Sequence, residues 1–184
     1  MKYFTTVTDP EIITLLKAGA IGVLRTDTLY GVVASADNEA AVQRVYGLKS
    51  RDEQKSPIVL ISDKTQVYDD VLPHIETLLA DVWPGPVSVI IPSINAPLWI
   101  RRNNDSVAYR LPRNTSLQQL VQQTGPLIAP SANPEGQPPA MSINEAKNYF
   151  GDKVDFYVDG GVVTDASPSQ LLLIGANGEV TRLR

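Results

Sequence analysis

The sequence predicts a three-layer α/β domain, of the α+β type, on a twisted mixed β-sheet with a C-terminal hairpin. Apolar strand-like segments alternate with segments of helical periodicity, as in helices packed on a sheet. The connections differ in length, which favours a mixed sheet over a purely parallel one. Asn177-Gly178 lies between two strand-like segments, and this dipeptide is the strongest short hairpin signal. A length of 184 residues predicts a single domain over 1–184.

The first half of the chain predicts strands and helices in alternation. Residues 21–24 form a short apolar strand that enters the loop RTDTLYG, and apolar residues recur at helical spacing in NEAAVQRVYGLK. A buried strand is predicted at PIVLIS, and a second strand, VSVIIP, is bounded by Pro86 and Pro92. Between these two strands we expect helical segments over 65–72 and 74–82.

The second half continues the alternation. SVAYRL is a predicted strand, and NTSLQQLVQQTG is a helix with an Asn or Thr cap and a Gly stop. PLIAP is a buried strand that leads into a loop containing Ser-Ala-Asn. Ser142 and Glu145 have the spacing of a capping box, so a helix begins at Ser142. VDFYVDGG predicts another strand, and QLLLIGANGEVTRLR forms the terminal hairpin.

The composition excludes several classes of chemistry. There is no cysteine, which rules out disulfides, thiolate catalysis and cysteine-based zinc sites. The single histidine, His74, lies in an acidic helical segment, where a surface role is favoured over that of a catalytic base. A net charge of −4 argues against non-specific coating of nucleic acid but allows a local phosphate pocket. Without a signal peptide or a bilayer-length apolar segment, we expect a cytoplasmic protein with no membrane contact.

Polar residues are concentrated where the apolar strands end. The segment 26–31 carries two threonines, an aspartate and a tyrosine, and a self-capped turn is favoured over ligand contact for it. Lys49, Arg51 and Lys55 follow a helix and precede a buried strand. Adjacent cations suit a polyphosphate, although charge complementarity at a helix C-terminus is the slightly favoured explanation.

Three further positions add to this pattern. Ser131 and Asn133 can converge on one ligand or on one lysine side chain, and a simple turn also explains them. Arg110, within an apolar strand, either points to solvent or faces the core with a partner. Neither G-x-G-x-x-G nor G-x-x-x-x-G-K-[ST] occurs, so any nucleotide binds through other loops. No closely paired carboxylates indicate a glycosidase or a metal cage.

In this order and spacing, the clusters resemble the YrdC-like family. T-[DE]-T-x-Y-G stands at 26–31, K-x-R at 49–51 with a further lysine at Lys55, and W-P-G-P-x-[TS] at 83–88. V-A-x-R stands at 107–110, S-x-N at 131–133, D-G-G at 159–161, and P-S-x-[IL] at 168–171. Each motif is weak alone, and their joint order from about Gly22 to the C-terminus carries the resemblance. It implies a YrdC/RibB-like fold of the short bacterial (TsaC) type, which has no extra C-terminal domain.

The resemblance also implies an activity. Such enzymes are nucleotidyltransferases that condense L-threonine, bicarbonate or CO2, and ATP with Mg²⁺ into threonylcarbamoyl-AMP and pyrophosphate. A separate tRNA-modifying transferase complex would then pass the threonylcarbamoyl group to tRNA. No metal ligand from the protein is implied. The implied catalytic residues are Lys49, Arg51, Ser131 and Asn133, the ATP contacts are Arg51, Lys55, Ser106, Ser131, Asn133 and Arg182, and the threonine contacts are Thr28, Tyr30, Arg110 and Ser169.

Four positions depart from the family pattern: Arg25, Pro130, Glu135 and Gln170. Glu135 matters most, because a carboxylate beside the ATP site repels phosphates unless Mg²⁺ or a lysine neutralises it. Two alternatives stay open. One is a module of the same fold that binds tRNA or double-stranded RNA without synthetase activity, which the net charge of −4 disfavours. The other is a paralogue for another carbamoyl-type substrate, which the absence of acylphosphatase or zinc-finger regions disfavours.

Overall fold

The computed structural model describes residues 1–164, 167–175 and 178–184. In these ranges the strands form a mixed sheet with helices packed on it. The strands are β1 Lys2–Phe4, β2 Gly22–Arg25, β3 Tyr30–Ser35, β4 Ile58–Leu60, β5 Val87–Pro92, β6 Ser106–Arg110, β7 Leu127–Ile128, β8 Phe156–Val158, β9 Gln170–Ile174 and β10 Val180–Arg182. The helices are α1 Pro10–Lys17, α2 Glu39–Lys49, α3 Pro73–Val82, α4 Leu98–Arg101, α5 Thr115–Thr124 and α6 Ile143–Phe150, with a 3₁₀ turn at Lys64–Gln66.

The sheet combines parallel and antiparallel pairs in the order β1-β8-β2-β3-β7-β4-β6-β5-β9-β10. β2 pairs antiparallel with β3 and parallel with β8, and β4 pairs parallel with β6 and antiparallel with β7. The predicted mixed sheet is therefore confirmed. The terminal hairpin is confirmed as well, because β9 and β10 pair antiparallel with Val180 opposite Ile174. Asn177 of its predicted turn lies outside the described residues.

Two hydrophobic clusters lie on opposite faces of the sheet and make three layers. Successive residues of β2 alternate between them, with Val23 in one cluster and Leu24 in the other, as the period of a strand requires. Leu16 of α1 and Leu120 of α5 pack with Leu24. The cluster around Val23 includes side chains of α2, α3 and α6. The central strands β3, β7 and β8 are thus buried on both faces, which explains their continuous apolar sequences.

Side-chain caps define where several helices begin. The predicted cap of α6 is confirmed, because the backbone N–H of Glu145 donates to Ser142 Oγ at 3.2 Å. The return bond differs from the predicted capping box, since Glu145 Oε2 accepts from the N–H of Met141 at 3.0 Å. Asn114 caps α5 through Leu117 N at 2.9 Å, and Gly125 ends this helix with φ of +83°.

The helix predicted over 65–72 is wrong. Only the 3₁₀ turn at Lys64–Gln66 forms, and Val67 then returns to extended backbone. The N–H of Tyr68 turns towards the hydroxyl of Tyr109 at 3.4 Å, so tertiary contacts replace the helical hydrogen bonds. The loop predicted at RTDTLYG is shorter than expected, because Tyr30 already pairs with Arg25 at the start of β3. The sequence patterns also did not predict β1, α1, β3 or α4.

The described helices include none that is both long and apolar enough to cross a membrane.

Candidate active site

A cavity of about 200 Å³ opens beside the tip of the β2–β3 hairpin. The antiparallel bridge between Gly31 and Ser131 brings the segment after β7 against this hairpin. Arg110, the last residue of β6, reaches the same space. The cavity is lined by Thr26, Thr28, Leu29, Tyr30, Gly31, Arg51, Ile58, Arg110, Ala129, Pro130, Ser131, Pro139, Pro168, Ser169 and Arg184.

Arg110 provides a buried positive charge at the cavity wall. Its residue is 3% exposed, and its Nη2 lies 3.3 Å from Asp27 Oδ1 and 3.4 Å from Thr26 Oγ1. Burial lowers the pKa of Arg110, and the nearby carboxylate of Asp27 counteracts this shift. The strand arginine therefore faces the interior with a partner and does not point to solvent. Its Nε is buried without a hydrogen-bond partner, which leaves donor capacity for a carboxylate ligand.

The hairpin tip combines a self-capped turn with the cavity wall. Thr26 closes the turn, since its N–H and Oγ1 donate to the carbonyl of Leu29 at 3.0 and 2.7 Å. Thr28 Oγ1 lies 3.1 Å from Thr26 Oγ1. Tyr30 lines the cavity, but its hydroxyl donates to the carbonyl of Gly161 at 2.8 Å and accepts from the N–H of Gly160 at 3.0 Å. The turn and ligand interpretations of this segment are thus compatible.

A group of hydroxyls and one arginine forms the wall near the C-terminus. Ser169 is buried, and its Oγ lies 2.9 Å from Ser88 Oγ. Arg184 Nη2 donates to Ser169 Oγ at 3.3 Å, and Arg184 Nε donates to the Ser169 carbonyl at 3.1 Å. Arg184 was not predicted. The sequence favoured Arg182, which is exposed on β10 and donates through Nε to the carbonyl of Arg184 at 3.3 Å.

Lys49 ties the loop after β7 to the end of α2. It is 3% exposed, and its Nζ donates to the carbonyls of Ser131 and Asn133. Ser131 Oγ donates to Asn133 Oδ1 at 2.6 Å. Burial, as the largest cause, and the charge of Arg51 lower the pKa of Lys49 to about 7, and Glu135 opposes the shift. Lys49 thus contacts both residues through their backbone carbonyls, and of their two side chains only Asn133 Oδ1 accepts from Nζ, at 3.5 Å.

Glu135 does not line the cavity, and neighbouring groups accommodate its charge. Lys55 Nζ lies 2.5 Å from Glu135 Oε1, and the N–H of Asp52 donates to Glu135 Oε2 at 2.7 Å. The hydrogen bond from Lys55 is the main reason that the pKa of Glu135 is lowered. A lysine thus neutralises this carboxylate. Arg51 lines the cavity and donates from Nη2 to the carbonyl of Ser56 at 3.1 Å.

The predicted site residues fall into two groups. Thr28, Tyr30, Arg51, Arg110, Ser131 and Ser169 line the cavity, whereas Lys49, Lys55, Ser106, Asn133 and Arg182 do not. Lys49 and Asn133 brace its wall. Ser106 begins β6 opposite Pro92, at the other end of the strand from Arg110. Their roles stay predictions.

The other positions that depart from the family pattern have distinct surroundings. Arg25 donates from Nη1 to the carbonyl of Gly160 at 2.9 Å, so it holds the D-G-G segment. Pro130 lines the cavity, and its carbonyl accepts from Val32 N at 2.9 Å. Gln170 begins β9 with an exposed side chain. Within 1–164, 167–175 and 178–184, no group of three or more acidic or histidine side chains is arranged to hold a metal ion.

Sequence comparison decides the family. Residues 14–184 match the Sua5/YciO/YrdC family profile, which carries the description "Telomere recombination". The chain belongs to the Sua5/YciO/YrdC family. It is 32% identical over 174 residues to a protein of Pseudoalteromonas atlantica named threonylcarbamoyl-AMP synthase, covering 89% of this chain and 90% of that protein. A protein of the same name from Pseudomonas entomophila is 33% identical over 172 residues, covering 91% and 92%.

Solved structures of the Sua5/YciO/YrdC family share the fold. P. abyssi Sua5 complexed with L-threonine superimposes with a TM-score of 0.90 at 25% identity. All of this chain is covered in that comparison, but the chain spans only 57% of the length of that Sua5 protein. E. coli YciO superimposes with a TM-score of 0.87 at 17% identity, covering 100% of this chain and 95% of that one. The predicted fold class and family resemblance are both confirmed.

Proposed function

We propose that this chain is a threonylcarbamoyl-AMP synthase, a nucleotidyltransferase that uses L-threonine, bicarbonate or CO2, and MgATP. The observation that carries the proposal is a cavity lined by a buried arginine, Arg110, and by a second arginine, Arg51. Of the three substrates, L-threonine carries a carboxylate and ATP carries a polyphosphate. Relatives that bear this name match about nine tenths of the chain.

Arg110 is suited to bind the threonine carboxylate. A guanidinium that is already desolvated forms stronger charge-assisted hydrogen bonds than one in water. Thr28 and Ser169 supply hydroxyls at the same cavity, where they would receive the polar groups of the amino acid. Tyr30 contributes its ring, since its hydroxyl is already bonded to the D-G-G segment. Asp27 forms an ion pair with Arg110 but does not line the cavity.

Arg51 and Ser131, which also line the cavity, are suited to bind ATP phosphates. Lys55 has a half-exposed side chain and can exchange Glu135 for a phosphate. Lys49 and Asn133 act indirectly, because they fix the backbone that carries Ser131. Mg²⁺ would enter with the nucleotide and reduce the charge of its phosphates. Ser106 and Arg182 are proposed as additional ATP contacts, which would require the nucleotide to extend beyond the cavity.

The chemistry then requires positioning and charge stabilisation more than a covalent nucleophile. The threonine amine adds to CO2, forming an N–C bond and releasing a proton. A carbamate oxygen attacks the α-phosphorus, a new P–O bond forms, and the bond to the β-phosphate oxygen breaks. Its electron pair leaves with pyrophosphate. Arg51 and Lys55 would stabilise the negative charge that develops on the phosphates.

The test is direct mass detection of threonylcarbamoyl-AMP from purified protein, ATP, L-threonine and bicarbonate. Product should form only when all three substrates are present, together with pyrophosphate. Arg51→Ala should reduce the rate by about 100-fold or more, because a charge-assisted phosphate contact is lost. Lys153→Ala is the matched control, since this exposed lysine precedes β8 at the sheet end opposite the Thr26 loop. A wild-type rate in Arg51→Ala would contradict the assignment.

The downstream transferase complex and a contact with RNA remain proposals about partners. If the chain instead acted as an RNA-binding module, RNA affinity would fall steeply with salt and no ATP-dependent product would form.

A further inference from the structure

Three arginines lie near the cavity wall at Arg51, and two of them, Arg101 and Arg102, have no role in the site described so far. Arg51, Arg101 and Arg102 form this arginine cluster. Arg51 lies just after α2 and lines the cavity. Arg101 is the last residue of α4, and Arg102 follows it directly. Four of their guanidinium nitrogens are buried without a hydrogen-bond partner: Nε of each arginine and Nη2 of Arg102.

The backbone is strained at both places where the cluster is built. Arg102 has φ of +57° and ψ of −130°, a conformation that glycine adopts readily and other residues rarely do. Ser50, directly before Arg51, has φ of +50°. In the described ranges these two are the only residues other than glycine with positive φ. Backbone strain of this kind persists where the surrounding structure enforces it, commonly at functional sites.

Tyr46 holds the two guanidinium groups close together. The Cζ atom of Arg102 lies 3.8 Å from the centroid of the Tyr46 ring, and that of Arg51 lies 5.6 Å from it. The ring is itself fixed, because Tyr46 is 2% exposed and its hydroxyl donates to the carbonyl of Lys55 at 2.6 Å. Stacking on one aromatic ring orients both planar groups and reduces the entropy lost when they bind a ligand.

The three arginines differ in their ion pairs. Among the described residues, no carboxylate lies within ion-pair distance of Arg51 or Arg102, whereas Arg101 pairs with Asp105 at 3.1 Å. Two partly desolvated guanidinium groups that share one ring repel each other and raise the local positive potential. An anion that bridges them would remove this repulsion and supply the missing hydrogen-bond acceptors.

The loops that carry the arginines are fastened to each other. Ser56 Oγ donates to the carbonyl of Arg101 at 2.9 Å, and Asn104 Nδ2 donates to the carbonyl of Gln54 at 3.1 Å. The relative position of Arg51 and Arg102 is therefore set before any ligand arrives. Since the α-phosphate must meet the carbamate inside the cavity, the β- and γ-phosphates extend out of it. Arg51 lines the cavity and shares the Tyr46 ring with Arg102, so phosphates that leave the cavity beside Arg51 would meet Arg102.

We propose that Arg102, together with Arg51, binds the β- and γ-phosphates of ATP and stabilises the charge on the departing pyrophosphate. This inference rests on the proposed function, in which the bond between the α-phosphorus and the β-phosphate oxygen breaks. Arg102 stays protonated throughout and exchanges no atoms with the substrate. It places its charge where negative charge increases in the transition state, so its loss should affect the rate as well as affinity.

The experiment measures binding of magnesium pyrophosphate and of MgATP by calorimetry, without any turnover. Arg102→Gly is the first variant, since glycine tolerates the backbone conformation and the fold should survive. Its pyrophosphate Kd should rise about tenfold or more, with L-threonine affinity unchanged within about twofold. Arg102→Lys keeps the charge but not the planar stacking group, so its pyrophosphate Kd should lie between those of wild type and Arg102→Gly. Lys153→Ala removes one exposed positive charge and should bind like wild type.

Pyrophosphate affinity in Arg102→Gly within about twofold of wild type would overturn the inference. Weaker RNA binding with unchanged pyrophosphate binding would overturn it too, because the cluster would then be an RNA phosphate site. Failure of the proposed function can be distinguished from failure of this inference. In that case wild type makes no threonylcarbamoyl-AMP, yet the Arg102→Gly effect on pyrophosphate binding persists. Melting curves recorded for each variant show that the compared proteins are folded.

Discussion

Asp27→Asn should weaken folding and at the same time strengthen threonine binding. The carboxylate of Asp27 pairs with Arg110 at 3.3 Å, and the two side chains are 8% and 4% exposed. Neutralising Asp27 leaves the guanidinium of Arg110 buried without its counter-charge. Removing one partner of a buried pair costs about 3–5 kcal/mol, and the remaining amide oxygen keeps the loss near the lower limit. We therefore expect a loss of about 3 kcal/mol in the free energy of unfolding.

The threonine carboxylate should compensate for the lost charge. In wild type Arg110 divides its charge between Asp27 and the ligand, whereas in Asp27→Asn the ligand is its main anionic partner. We expect the Kd for L-threonine to fall about tenfold, which corresponds to about 1.4 kcal/mol. Threonine at the same concentration should then raise the melting temperature of the variant more than that of wild type.

The assay is thermal or urea unfolding with and without L-threonine, together with threonine titration by calorimetry. The matched control is Asp155→Asn, whose pair with Arg44 has side chains 37% and 46% exposed. A half-exposed pair contributes about 0–1 kcal/mol, so this control should lose little stability and keep its threonine affinity. A loss below about 1 kcal/mol in Asp27→Asn, or no gain in threonine affinity, would refute the reasoning.

Three further outcomes are expected. Folding lowers the pKa of Lys49 to about 7, so the free energy of unfolding should rise between pH 7 and about 10.5. The rise should reach about 2 kcal/mol at pH 9, and Lys49→Met should abolish it in urea unfolding. Glu135→Gln frees Lys55 and should lower the KM for ATP about threefold at low salt, an effect that an unchanged KM would contradict. Arg102→Gly should be about 1 kcal/mol more stable than Arg102→Ala, since alanine keeps the strained backbone; equal melting temperatures would argue against that strain.

The sign for Lys49 follows from proton binding. Between pH 7 and 10.5 the unfolded chain holds the proton that the folded chain has released, so stability increases with pH. Below about pH 7 both states are protonated and the dependence disappears.

Local patterns predicted much of the fold. The caps at Asn114 and Ser142 and the apolar strands were visible because each depends on a few adjacent residues. The segment 65–72 was wrongly predicted because Tyr109, distant in sequence, competes for the backbone of Tyr68. β1 was not predicted because a three-residue edge strand, Lys2–Phe4, carries too little periodicity.

The sequence by itself determined the family, the residue types of the site and the polar segments that build it. Only the tertiary structure decided their geometry: Lys49 braces the wall, Lys55 neutralises Glu135, and Asp27 supports Arg110. It also placed Arg184 in the cavity wall and brought Arg102 beside Arg51. The physical reason is that these relations depend on pairs separated by tens of residues. Burial and distance then set their charges and partners, and no local pattern records either.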